Sequence, residues 1–275
     1  MLVSALSSLL VFAHAAGAIW WGVDLTSTNS NVWTSIQYTL TVPAAPPSTV
    51  TTGPWVRTVI CSRRAPEGRT SPMQYFLCGI LPGWARGNPG LVRPVLQYRA
   101  SAPSYVNPNP SFDQIWAMAL WMTGNAGQVA ESNGIWVGEG DKVVSTAAYA
   151  DGNWTQTTRV SSGKATNLSI QQNEAASKLG FPANSAGDSN AQLFFCESDL
   201  HGQQADQWTA DVIFSDVTFT ANTCDGVQAA CQAALNIKND GTGVAIPSGF
   251  SMPNANTCYF ETVRLVPPGP CTSNT

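Results

Sequence analysis

Charge is what this chain has least of. Asp, Glu, Lys and Arg make up 11% of its 275 residues, against about 25% in ordinary globular chains. With 13 basic and 17 acidic residues and a net charge of -4, it lacks the basic face that nucleic acid requires. Histidine is scarce as well, with only His14 and His201 present. His14 falls in a segment with the form of a cleaved signal peptide, and the single histidine then left excludes the usual two- or three-histidine zinc site; no CxxC occurs, so neither metal nor other cofactor is expected. A Ser-His-Asp triad would have to use His201, which sits in the polar run Leu200-His201-Gly202-Gln203-Gln204 and reads as a surface loop residue. The short apolar run from Leu2 to Phe12 falls well short of the ~20 residues needed to span a bilayer. Long helices are disfavoured by 23 glycines and 18 prolines.

What is present is a hydrophobic fraction of 44%, enough for a packed core. Ser, Thr, Asn and Gln occupy the places that charges usually take. Leu2–Phe12 followed by Ala13-His14-Ala15 has the form of a signal peptide with a small-x-small cleavage site. The expectation is therefore a signal peptide over 1–15 and a secreted, soluble, monomeric domain over 16–275. Seven cysteines fit an oxidising compartment. Their spacing suggests local pairs, Cys61 with Cys78, Cys224 with Cys231 and Cys258 with Cys271, leaving Cys196 over. Asn153-Trp154-Thr155 and Asn167-Leu168-Ser169 are N-glycosylation sequons.

Period-two alternation dominates the chain. Ile36, Tyr38, Leu40 and Val42 alternate with Gln37, Thr39 and Thr41, which predicts a half-buried strand. Further strands are predicted over Trp55–Ile60, Met73–Ile80, Val92–Tyr98, Ile115–Met122, Lys142–Ala150, Asn153–Val160, Thr166–Gln171, Gln192–Cys196, Thr209–Thr220 and Cys258–Val266. Gly138-Glu139-Gly140-Asp141, Asp151-Gly152-Asn153 and Ser161-Ser162-Gly163-Lys164 separate them as turns. Short helices are predicted over Asn173–Leu179 and Val227–Leu235. Ten or more strands without βαβ alternation imply an all-β antiparallel sandwich or jelly roll. The stretch 222–249 reads as an insertion into it. Seven of the 13 basic residues (Arg57, Arg63, Arg64, Arg69, Arg86, Arg93, Arg99) lie close together in sequence, as a solvated loop face or a groove for an acidic substrate.

Several stretches occur in a familiar order: Trp21-Gly22, Tyr38-Thr39-Leu40-Thr41-Val42-Pro43, Trp84, Pro94-Val95-Leu96-Gln97, Trp116 with Trp121, Val137-Gly138-Glu139-Gly140-Asp141, Trp154, Ser162-Gly163, Asn190-Ala191-Gln192 and Val217-Thr218-Phe219-Thr220-Ala221. Over roughly Trp21 to Asn222 the chain resembles the fungal glutamic peptidases, the eqolisins. That resemblance implies a concanavalin A-like β-sandwich with one concave groove. It also implies a catalytic pair in which a glutamate activates water and a glutamine amide donates to the oxyanion. Gln97 matches the family glutamine and Trp84 the groove tryptophan. Gln192 stands where the family has its glutamate, giving a Gln97/Gln192 pair with no general base, and Ala85-Arg86-Gly87 replaces the family's Gly-Ile-Asp. Glu197 and Asp199 are the nearest carboxylates, and counting five positions from Gln192 places Glu197 on the opposite face of a regular strand.

Three readings follow. The first is a hydrolase of the glutamic-peptidase type acting on extracellular polypeptide, with Gln97 and Gln192 in the catalytic positions. The second is a lectin-like carbohydrate-binding module, its sugars stacked on tryptophans such as Trp84, Trp116, Trp121, Trp136 and Trp154, each of which is otherwise a core residue. The third is a lyase on an acidic polysaccharide, in which Arg93 and Arg99 share a strand face with Gln97 and meet a uronate carboxylate. A two-carboxylate glycosidase is disfavoured because the strands near Gln97 carry no acid.

Overall fold

The computed structural model describes residues 19–26, 33–44, 73–81, 91–99, 115–123, 129–179, 193–201, 210–234 and 244–266. In chain order the first strands are β1 (Ile19–Thr26), β2 (Trp33–Thr41), β3 (Met73–Leu81), β4 (Leu91–Arg99), β5 (Ile115–Thr123), β6 (Val129–Glu131) and β7 (Ile135–Val137). There follow β8 (Lys142–Ala150), β9 (Asn153–Ser162), β10 (Ser169–Ala175), α1 (Ala176–Leu179), β11 (Leu193–His201) and β12 (Val212–Ala221). Helix α2 (Val227–Ala234), β13 (Val244–Ser248), β14 (Ser251–Asn254) and β15 (Thr257–Val266) complete the described elements.

All strand pairs are antiparallel, and they form two sheets. The first runs β1-β11-β3-β4-β5-β6, with β7 also on β5. The second runs β10-β9-β8-β2-β12-β15-β13, with β14 also on β15. The alternation read in the sequence is the cause of the layering. Trp33, Ile36, Tyr38 and Leu40 of β2 are buried while Gln37 is exposed. On β5, Trp116, Met118 and Met122 enter the same core cluster as Phe214, Phe219 and Phe260 of the second sheet. The protein is thus an all-β sandwich, its core made where the apolar faces of both sheets meet.

Two polar bonds cross the apolar layer. Tyr38 donates its hydroxyl to the Pro94 carbonyl at 3.2 Å. Gln156, itself fully buried, donates its amide to the Trp121 carbonyl at 3.0 Å. Both supply donors to backbone oxygens removed from water, which would otherwise carry a desolvation cost.

One end is tied by Asp141. Its buried carboxylate accepts from the backbone N–H groups of Gly138, Lys164 and Ala165, joining the turn before β8 to the turn after β9. Gly163 sits at φ +111°, and a Cβ there would fall 2.0 Å from Asp141 Oδ1. Glycine is required by both the backbone angle and the space.

The two lateral sides differ. On one, α2 lies against β1 of the first sheet and β15 of the second. The residues Val227, Ala230, Cys231 and Ala234 are buried, and β13 pairs with β15. The described parts of 222–249 are therefore knit into the sandwich. On the other side, the β6–β7 edge and the outermost strand β10 leave an open cleft.

Several expectations need correction. Cys231 is bonded to Cys258, across 27 positions of sequence, and Cys224 is an exposed free thiol. The local pairs Cys224–Cys231 and Cys258–Cys271 give way because α2 lays Cys231 against β15. Cys61 and Cys271 lie outside the described residues. The register makes Cys78 of β3 and Cys196 of β11 direct Cα partners. Strand β10 runs to Ala175, where the sequence predicts a helix from Asn173, because its ladder with β9 continues to the Ala175–Asn153 pair. The predicted strand Trp55–Ile60 is outside the described residues.

Candidate functional site

The chemistry-bearing residues of the first sheet follow from its register. Partners in an antiparallel ladder share a face, and neighbours along a strand alternate. Even-numbered positions of β4 and β5 belong to the core face, as the buried Val92, Leu96, Met118 and Met122 show. The odd-numbered positions form the outer face. One row of that face runs Trp20, Asp199, Tyr75, Gln97, Ala117, Trp136 through the partner pairs. The next runs Gly22, Glu197, Leu77, Val95, Ala119. Arg93 pairs with Trp121, and Trp121 with Glu131, in a third. Arg99 opens a fourth with Met73 and His201.

This placement revises the parity argument for Glu197. Counted from Gln192 it falls on the far side, but the anchor that matters is Gln97, and both Glu197 and Asp199 occupy rows of Gln97's face. The sequence could not supply this, because parity relates residues of one strand and the register between β11, β3 and β4 is a long-range property. His201 ends β11 on that face; it is not a loop residue.

The Arg93 guanidinium carbon stands 5.1 Å from the Trp121 ring centroid. A planar cation over an indole gains roughly 0.5–2 kcal/mol, more as water is excluded. Val95, Ala117 and Ala119 are buried, giving the face a low apolar floor. A half-buried arginine beside such a floor offers a fixed positive charge to an oxyanion or carboxylate.

Trp116, expected to bind substrate, does not lie on this face. It is 3% exposed and belongs to the core cluster. An even-numbered position on β5 points it between the sheets, while odd-numbered Trp121 takes the outer side. Trp154 is buried by the same alternation on β9. Trp84 and Gln192 lie outside the described residues. Of the two sequons, Asn167 is exposed at φ 77°, whereas Asn153 is half-buried and donates its amide to the Asp151 carbonyl at 2.9 Å. No group of three or more metal-binding side chains occurs among the described residues.

No protein-family model matches the chain, and no curated protein matches it. Among solved structures it is similar to a scytalido-glutamic peptidase determined with a transition state analog inhibitor. The two are 13% identical, with 90% of this chain and 97% of that chain covered and a TM-score of 0.43. It is also similar to the enzymatically active domain of bacteriophage CBA120 tailspike protein 2, at 10% identity, 75% and 25% coverage and a TM-score of 0.37. A native glycosidic hydrolase is similar at 8% identity, 68% and 79% coverage and a TM-score of 0.21. A fold does not by itself assign a reaction, so the chemistry has to be read from the residues.

Proposed function

We propose that the outer face of the first sheet is the active face of a secreted hydrolase that cleaves extended polypeptide at acid pH. The observation that carries this reading is the register that sets Asp199 and Glu197 of β11 on the face of Gln97, two strands away. Two strand spacings separate these backbones by ~10 Å. Residues mounted ~10 Å apart on one face leave room between them for one scissile carbonyl and one water. Asp199, in the row of Gln97, takes a proton from the water as its oxygen bonds to the carbonyl carbon. The Gln97 amide donates to the oxyanion that forms. The protonated carboxyl then returns the proton to the leaving amine as the C–N bond breaks. This assignment moves the acid role from position 192 to β11. The Cys231–Cys258 bond suits an oxidising compartment. No helix among the described residues is long and apolar enough to cross a membrane.

Digestion of a denatured protein at acid pH by the purified chain is the test. Gln97→Ala should lower kcat by ~10²–10³-fold, and Asp199→Asn by ~10²–10⁴-fold, with KM little changed. Full activity in Asp199→Asn together with loss in Glu197→Gln would transfer the base role one row over. Full activity in both single variants and in the double variant would end the reading.

A second reading is favoured by Arg93 over Trp121. That pair suits a uronate carboxylate, and an acidic polysaccharide lyase would reveal itself by unsaturated products absorbing in the ultraviolet. A lectin-like role on the same face would appear as retention on a polysaccharide column without turnover.

A further inference from the structure

An outermost strand leaves one row of backbone groups unpaired, and such an edge pairs with another edge unless something blunts it. The two sheets end in several edges, and all but one of those described carry a guard. In the first sheet, β1 is covered by α2, and β6 and β7 have three residues each. At one side of the second sheet, β13 carries Pro247, and β14 carries Pro253 and a register shift against β15. Strand β10 is the other edge, and β9 is its only strand neighbour among the described residues. Its seven residues include no proline, glycine or lysine. Its ladder with β9 runs without a shift from Ser169–Arg159 to Ala175–Asn153. Charge guards only its last part, where Glu174 pairs with Lys178 of α1 at 3.3 Å. From Ser169 to Asn173 the edge is bare.

The chain enters that bare part through the sequon Asn167-Leu168-Ser169. Asn167 is exposed in the turn between β9 and β10, its backbone N–H donating to the Val160 carbonyl at 3.2 Å. Asn153 is a poorer acceptor. Its amide donates to Asp151, and its whole sequon lies within the ladders of β9 with β8 and β10. Five residues of strand span ~17 Å, within reach of an oligosaccharide of several rings attached two residues before Ser169.

We propose that Asn167 carries an N-linked oligosaccharide, and that this glycan guards the bare edge of β10 against pairing with the β10 of a second copy. The donor is an oligosaccharide on a lipid diphosphate. A bond forms from Asn167 Nδ2 to the anomeric carbon, that carbon's bond to the diphosphate breaks, and the amide gives up one proton. The proposal takes from the assigned function only its secreted setting. Occupancy and mass are read without the reaction, so the two fail separately.

The full chain secreted by eukaryotic cells tests both halves. Release by peptide N-glycosidase in heavy-oxygen water should convert Asn167 to labelled Asp in peptide maps. Removing the glycan from the folded protein, and independently Asn167→Gln, should turn a monomer into a species of twice the mass in sedimentation. Adding Gln171→Lys to Asn167→Gln should return the monomer, because a lysine on the edge blunts pairing. An unmodified Asn167 in the secreted chain, or chain held unmodified in the cell, would overturn the proposal. So would a chain that stays monomeric once its glycan is removed, or a dimer unmoved by Gln171→Lys.

Discussion

The smallest features with measurable consequences are two single side chains. Asp141 spends its carboxylate on three backbone donors, so Asp141→Ala orphans them together. Bonds to a charged acceptor contribute ~1.5–3 kcal/mol each when lost with burial, and urea unfolding should show a loss of about 3 kcal/mol or more. Gly163→Ala, which forces a Cβ onto the same carboxylate, should cost about 2–3 kcal/mol. Tyr259 reports on pH instead. Its hydroxyl donates to Asp216 Oδ1 at 3.0 Å, and that bond, with desolvation and the charges of Asp216 and Glu261, raises its ionisation above the ordinary 10.0. A raised folded-state value means stability that is present below pH 10.0 and is lost as pH rises past it. Comparing the near-ultraviolet alkaline titration of the protein with that of Tyr259→Phe should isolate this group, and Asp216→Asn should bring its ionisation back down.

Among the elements, α2 and β15 are held by the Cys231–Cys258 bond. A bridge closing a loop of that length contributes about 3 kcal/mol, so Cys231→Ala should lower the unfolding temperature while Cys224→Ala leaves it unchanged. Native-state maleimide labelling should modify Cys224, the exposed thiol. Cys78 and Cys196 face each other in the β3–β11 ladder. Directly opposed antiparallel residues lie about 4.5–5.5 Å apart, inside the range a disulfide spans. Non-reducing peptide mapping should recover that pair joined, and recovery of Cys61 joined to Cys78 would restore the local scheme. Element by element, the strands were legible wherever one face is buried, as at β2, β8 and β12. They were less so at β10, whose exposed Ser169, Gln171 and Asn173 carry no apolar alternation. Cysteine partners were not legible, because spacing along a chain says nothing of which helix folds back on which strand. The outer-face rows were illegible for the same reason: Gln97, Arg93 and Arg99 share a parity that can be counted, but Asp199 joins them only through β3.

For the molecule as a whole, the scarcity of charge acquires a location. One row of the second sheet's outer face runs Ser248, Thr262, Ser215, Thr39, Val144, Arg159, Ser169 through successive partners. Hydroxyls there take the role that lysine and glutamate play elsewhere, and Ser248 and Thr262 bond each other at 2.6 Å. Among the described residues the ion pairs Lys178–Glu174 and Arg264–Asp211 lie at the surface with their cations open to solvent, and are worth little. Stability should therefore change little between low and moderate salt, as thermal unfolding across a salt series would show. The outer-face rows of the first sheet differ in adding Trp20, Tyr75, Trp121 and Trp136 to their charged positions.

The strand order also sets a timetable. β8, β9 and β10 are neighbours in both sequence and sheet, so that meander can assemble as soon as it is made. β1 cannot, since Ile19 waits for Leu200. At ~5–20 residues per second of synthesis the wait is roughly ten to forty seconds. Throughout it, Ile19-Trp20-Trp21 is without the strand it was made for. Newly made chain is thus most vulnerable at its beginning, and yield should depend more on what shelters β1 during those seconds than on the strength of the finished sandwich.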